Sequence, residues 1–222
     1  MNGARLSWRF VALAGFFVTA LVVSNIVAVK LVEVSGRVFP AGLVVFPLSY
    51  ILGDVLTEVY GLRAARAVIW LGFACNLLAV AAIQVAIALP AAPFYEGADA
   101  YEAVLGTTWR IFLASLAAYV LGELVNAYVL ARLKAVTAGR FLWTRTIGST
   151  IAGEGLDSLV FVTVAFAGTG TPLAEPVLTT WAIKVGYEVA ATPLTYGIVG
   201  YLKRSEGVDV YDYGPRAAGS RA

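Results

Sequence analysis

Histidine is absent from this 222-residue chain, and cysteine occurs once, at Cys75. The first absence removes imidazole as metal ligand and proton relay, so any relay must run through carboxylates. The second excludes an intramolecular disulfide and a thiolate metal site. Charge is scarce as well: charged residues make up 14% of the sequence against 60% hydrophobic, and the mean hydropathy is +0.82. That balance is too apolar for a soluble domain of this length and indicates a polytopic helical membrane protein. The net charge of +2 resides in short connections and tails, so it is a topology signal and implies no nucleic-acid partner. No Gly-x-x-x-x-Gly-Lys-Ser/Thr loop occurs, which rules out ATP binding of that kind. Neither a cofactor nor a metal is expected.

What is present is a series of apolar runs of about 20 residues, the length that crosses roughly 30 Å of hydrocarbon. They fall at about 10–29, 39–60, 67–89, 110–131, 145–167 and 179–202. The first is long for a secretory signal and reads as a transmembrane helix. The segment from Pro90 to Thr108 leaves room for a short surface helix, and the tail 203–222 is expected to be mobile. Arg5 and Arg9, Arg63 and Arg66, Arg132, Lys134, Arg140 and Arg145, and finally Lys203, Arg204, Arg216 and Arg221 occupy alternate connections. Lys30 and Arg37 interrupt the alternation, and Arg110 stands at the mouth of the fourth run. The positive-inside rule then predicts an all-α integral membrane protein: one domain of six transmembrane helices, both termini cytoplasmic.

Ionisable side chains interrupt these runs: Asp54, Glu58, Glu123, Glu154, Asp157, Lys184 and Glu188. A lone charge at the bilayer centre costs about 2.5–3.5 kcal/mol on insertion scales, so such residues face a packed interior or a wet cavity and mark a pathway. The chain therefore reads as a small-molecule transporter. Helical spacing places Pro47, Tyr50, Asp54 and Glu58 on one face, and Ser115, Tyr119, Glu123 and Asn126 on another. The fifth run presents Thr150, Glu154 and Asp157, and the sixth Trp181, Lys184, Glu188 and Thr195, while Asn25, Asn76 and Gln84 come from the first and third. The candidate substrate-binding residues are Asn25, Tyr50, Asp54, Asn76, Tyr119, Glu123, Glu154, Asp157, Lys184 and Glu188. Structural readings compete with this. Asp54 and Glu58 can pair with Arg63 and Arg66, and Lys184 can neutralise Glu188 at i+4 within its helix. Glu123, Glu154 and Asp157 have no cation at their depth in their own helices and need partners from elsewhere. Pro47 and Pro193 lie within runs, where each frees a carbonyl four residues earlier. Ala114, Ala118 and Gly122, together with Ser149 and Gly153, have the small-xxx-small spacing of close helix packing.

The stretch Phe46-Pro47-Leu48-Ser49-Tyr50, followed by Gly53-Asp54 and Thr57-Glu58-Val59-Tyr60-Gly61, resembles the queuosine precursor transporter family, also called the vitamin uptake transporter family. Ser24-Asn25, Ala28-Val29-Lys30, Ala65-Arg66 and Ile69-Trp70 strengthen the likeness. So do Arg110, Ala114-Ser115, Ala118-Tyr119, Gly122, Arg145, Ser149, Asp157-Ser158, Ala165-Phe166 and Lys184. Some members carry a glutamine–aspartate pairing in the fourth helix, where this chain has Glu123 and Asn126. The resemblance implies inner-membrane uptake of 7-deazaguanine compounds, such as the 7-cyano or 7-aminomethyl derivative, for salvage into the tRNA base queuosine. A guanine-like edge offers an N–H and an amine side by side, which one carboxylate can accept, and Tyr50, Tyr119 or Trp181 could stack on the ring. Two other readings compete: a substrate-binding subunit of an energy-coupling-factor-type vitamin transporter, and an intramembrane carboxylate-only hydrolase. Homo-oligomerisation stays open.

Overall fold

The computed structural model of the protein describes residues 7–28, 30–34, 37–106, 109–168 and 173–212. Of the charges used for orientation, Arg5, Arg216 and Arg221, and the side chains of Arg37 and Arg110, lie outside the described residues. Helix α1 (Trp8–Val27) begins at Ser7, whose hydroxyl accepts from the Phe10 amide and satisfies one of the free donors of the first turn. A short antiparallel hairpin follows, β1 (Leu31–Val34) and β2 (Arg37–Pro40), with Leu31 opposite Pro40. A 3₁₀ turn (Ala41–Val44) leads into α2 (Phe46–Tyr60). Then come α3 (Leu62–Ala88), the short α4 (Ala98–Leu105), α5 (Trp109–Val136), α6 (Leu142–Phe166) and α7 (Ala174–Glu206).

The second apolar run departs from the sequence expectation. Residues 39–45 are not helical, and Pro47 occupies the first turn of α2, where its missing N–H deletes no intrahelical bond. The expected free carbonyl at Leu43 therefore does not arise from a kink. β-Branched Val32, Val34 and Val38 suit the hairpin instead. Pro193, by contrast, does lie inside α7. Among the described residues four helices, α1, α3, α5 and α6, are long and apolar enough to cross a membrane by length and composition. At 1.5 Å per residue α2 reaches only about 22 Å, and α7 is long enough but carries charges.

The chain is thus an all-α membrane protein with one small hairpin. Its centre is α2, which packs against α1, α3, α5 and α7, and from Ser49 to Val59 every residue but Leu52 is buried. A helix enclosed all round belongs in a bundle interior. Phe17, Leu21, Leu56, Ile69 and Tyr119 form one apolar cluster around it, and Ile51, Val55, Val59, Val199 and Leu202 form a second. The largest helix interface joins α5 to α6. Between lipid-facing helices there is little hydrophobic drive to associate, so close contact has to supply dispersion energy. Gly122 and Gly153 provide it. A methyl at Gly153 would meet Asn126 Cβ at 2.6 Å and the Gly122 carbonyl at 2.8 Å.

The start of α1 and the end of α7 meet at one end of the bundle. Ser7 Oγ donates to Glu206 Oε1 (2.5 Å), and the Tyr60 hydroxyl donates to Glu206 Oε2 (2.6 Å). Residues 207–212 of the expected mobile tail lie against the same end: the Val210 amide donates to Val59 O (3.1 Å), and Asp212 accepts from the Leu62 amide (2.7 Å). Gly61, between α2 and α3, has φ +85°, which a side chain rarely adopts, and an added methyl would lie 2.5 Å from Val210.

Candidate functional site

Two buried polar clusters lie inside this apolar bundle, stacked along α2. The first forms around Glu58, one turn from the end of the helix. The guanidinium of Arg145, from the first turn of α6, clasps its carboxylate with both arms, Nη2 to Oε1 at 2.8 Å and Nε to Oε2 at 3.2 Å. Lys203 Nζ of α7 adds a contact at 2.6 Å, and Lys134 Nζ of α5 lies 3.7 Å away while donating to the Glu58 backbone carbonyl. Lys134 also reaches Asp209 (2.6 Å) and the Val210 carbonyl (2.6 Å), and sits over the Tyr211 ring. Glu58, Lys134 and Arg145 are all at most 2% exposed. The expected pairing with Arg63 and Arg66 is therefore corrected. Those arginines extend from the next helix, whereas the α2 face bearing Glu58 looks toward α5, α6 and α7. In the sequence, Lys134 and Lys203 stand out only as topology signals and Arg145 as a topology signal and part of the family likeness; nothing in their spacing marks them as partners of Glu58.

The second cluster lies two turns deeper and holds most of the sequence-predicted residues. Lys184 of α7 reaches across to α6, contacting Glu154 Oε2 at 2.8 Å and hydrogen-bonding to Asp157. Its ammonium lies 5.5 Å from the centre of the Tyr50 ring on α2, and the Tyr50 hydroxyl bonds to Glu154. Glu154 and Asp157 thus find their cation on another helix. The expected Lys184–Glu188 pair is not formed. At i+4 the two share a stripe, but the Lys184 chain crosses to α6, and Glu188 instead meets Thr146 one turn into α6.

Asp54, Glu123 and Glu188 complete this cluster from α2, α5 and α7. Each is at most 3% exposed, and none has an ion-pair partner among the described residues. Asn126 Nδ2 donates to Asp54 Oδ1 at 2.6 Å. Gly53 lets the Glu123 carboxylate approach α2, since a methyl there would lie 3.1 Å from Glu123 Oε2. Asp54 Oδ2, Glu123 Oε1, Glu188 Oε1 and Asn126 Oδ1 have no hydrogen-bond partner among the described residues. Asn126 was placed on the same stripe as Glu123 by its spacing, but its partner was not foreseeable.

The remaining predicted residues stand on the adjoining side. Tyr119 packs in the apolar cluster with its hydroxyl donating to the Ile69 carbonyl of α3 (2.9 Å), although it remains close enough to Glu123 to interact electrostatically. Asn25 accepts from Ser115 at 3.4 Å, and Asn76 is buried on α3. Trp181 donates to the Ile151 carbonyl (3.0 Å), which pins α7 to α6. No group of three or more carboxylates or thiols among the described residues is arranged to hold a metal ion. A groove of about 360 Å³ between α1, α2 and α7, lined by Phe16, Val23, Leu48 and Leu194 among others, is apolar and separate from both clusters.

This arrangement accords with what the chain matches. It is 29% identical over 180 residues to the "Probable queuosine precursor transporter" of Bacillus subtilis (strain 168), covering 80% of this chain and 79% of that one. A protein of the same name from Haemophilus influenzae is 26% identical over 131 residues, 59% of this chain and 53% of its own length. No solved structure shows a significant match. The model of the family described as "Putative vitamin uptake transporter" matches residues 40–198, from the end of the hairpin through α7 past Pro193, and so takes in the Lys184 cluster and, from the other, Glu58, Lys134 and Arg145. The chain is a multi-pass membrane protein and belongs to the putative vitamin uptake transporter family.

Proposed function

We propose that the chain imports queuosine precursors, 7-deazaguanine derivatives such as the 7-cyano or 7-aminomethyl compound, across the inner membrane for tRNA queuosine salvage. In this reading α1, α2, α3, α5, α6 and α7 make six crossings, and α4 lies at the outer surface. Both termini face the cytoplasm. The meeting of Ser7 with Glu206 supports an even number of crossings, and the arginine and lysine alternation supports the direction.

The observation that carries the reading is the set of partnerless, buried acceptors on α2, α5 and α7 beside the Lys184 ion pairs. A buried acceptor left without a donor costs about 1–3 kcal/mol, and a ligand rich in N–H groups relieves that cost. The names of the two relatives support the same substrate class. Glu154 and Asp157 contact substrate together with Asp54, Glu123 and Glu188, and Tyr50 lies alongside its ring. Asn25, Asn76 and Tyr119 border the path. The substrate crosses unaltered, so the protein is a carrier and performs no chemistry on it.

The decisive test is uptake of labelled 7-cyano- and 7-aminomethyl-7-deazaguanine into cells unable to make queuosine. Expression of this chain should restore accumulation and queuosine in tRNA. Restored uptake by the purified chain in liposomes identifies a stand-alone transporter. Equal uptake with and without the gene sinks the proposal.

A further inference from the structure

We infer that the Asp54–Glu123–Glu188 cluster selects a substrate that carries an ammonium group, so that the aminomethyl derivative is preferred over its nitrile analogue. This rests on the reading above and deepens it. Three observations lead there. The free polar atoms of Asp54, Glu123, Glu188 and Asn126 are all carboxyl or amide oxygens, and one of the two amide hydrogens of Asn126 is already directed to Asp54. A neutral nitrile nitrogen is itself an acceptor and would face oxygen lone pairs there.

Charge points the same way. Lys184 is the cation of this cluster, and two carboxylates, Glu154 and Asp157, already share it. Asp54 lies close enough to Glu188, Glu123 and Glu154 to interact with all three, and Glu123 also interacts with Glu154, Asp157 and Lys184. The arginine and lysines around Glu58 are committed to the neighbouring cluster and to Asp209. Carboxyl groups thus outnumber cations where α2, α5 and α7 meet among the described residues, and a cationic ligand would supply the missing counter-charge.

The origin of the carboxylates bears on the kind of ligand. The carboxylates come from three helices and are not arranged to hold a metal ion. A fused ring with donors at both ends suits acceptors presented by three helices: the pyrimidine edge at one carboxylate, the ammonium at the others. Hydrogen bonds between charged partners are stronger than neutral ones and short-ranged, which makes the ammonium the discriminating group.

The experiment is competition between labelled 7-aminomethyl- and 7-cyano-7-deazaguanine for uptake by cells expressing the full chain and lacking queuosine synthesis. The aminomethyl compound should be favoured by roughly tenfold or more, the factor carried by one charge-assisted hydrogen bond. Glu123→Gln and Glu188→Gln should bring the ratio toward one, and binding of both compounds to the purified variants, followed by thermal shift, reads the same ratio without transport. Equal use of the two compounds by the unmodified protein, or preference for the nitrile, overturns the inference and leaves the transport reading standing. If neither compound enters, that reading falls and this inference with it.

Discussion

Lys184 shows how a single side chain decides which charges a membrane bundle tolerates. It is 7% exposed and neutralises Glu154 and Asp157 on a different helix. Removing one member of a buried pair leaves the others uncompensated and costs about 3–5 kcal/mol. Lys184→Met is therefore expected to lower the melting temperature of the detergent-purified protein, and a second change, Asp157→Asn with Glu154→Gln, should recover most of it. Glu188→Gln in the same background should not, because Glu188 belongs with Thr146 and Asp54. Equal rescue by Glu188→Gln would contradict the pairing. With no histidine in the chain, proton coupling has only carboxylates to use, and Glu123 is buried on α5 with no ion-pair partner among the described residues. Glu123→Gln should lose accumulation driven by a proton gradient while retaining exchange of internal for external substrate. Wild-type accumulation that survives collapse of the gradient would exclude this role.

Helix contacts set the positions of these groups. The α5–α6 interface brings Glu123 and Asn126 beside Glu154 and Asp157 because Gly122 and Gly153 allow the backbones to touch. A methyl at Gly122 would meet Asp157 Cβ at 2.7 Å. Overpacking of this kind costs about 1–3 kcal/mol, and moving the helices apart would also separate the carboxylates. Gly153→Val should thus lose both thermal stability and uptake. Gly186→Ala is the matched contrast: nothing lies within 4 Å of the added methyl, and replacing a mid-helix glycine by alanine stabilises by about 0.5–1 kcal/mol. Parallel unfolding curves of the two variants check the sign at each site. The late start of α2 matters in the same way, since it keeps that helix short and buried from Ser49 to Val59 save at Leu52, with Asp54 and Glu58 both inside.

Across the whole molecule, the Glu58 cluster ties α2, α5, α6 and α7 to the segment after α7. Burial alone would push the Asp209 carboxyl up, but the ammonium groups of Lys134 and Lys203 outweigh it and hold it below the ordinary aspartate range. A carboxyl with a lowered folded value stabilises the folded form fully above its unfolded value, about 3.9, and that contribution fades as pH falls through the lower folded value. Hydrogen exchange should accordingly find the amide of Val210 protected at neutral pH and released in that acidic window. Asp209→Asn should weaken protection already at neutral pH and flatten its pH dependence. Glu58→Gln attacks the centre of the cluster. It leaves Arg145, 1% exposed, without its bidentate carboxylate, and the expected loss of about 3–5 kcal/mol is measurable as a lowered melting temperature.

Composition was enough to place this chain in a membrane, because apolar surface on that scale has no soluble solution. Run length was enough to locate most of the helices, since hydrocarbon thickness is a one-dimensional constraint that a linear sequence records directly. The spacing of Asp54, Glu123, Glu154, Asp157 and Lys184 likewise revealed which residues share a helix face. Hydropathy could not reveal that residues 39–45 leave the helix, because apolar residues fill a hairpin and a 3₁₀ turn as readily. Nor could periodicity say which helix lies against a given face. Lys184 had a partner four residues away and took two on α6 instead; Glu58 had arginines just beyond its helix and took Arg145 and Lys203. Those choices follow from how the helices pack in three dimensions, where burial favours the counter-charge nearest in space, whatever its distance along the chain.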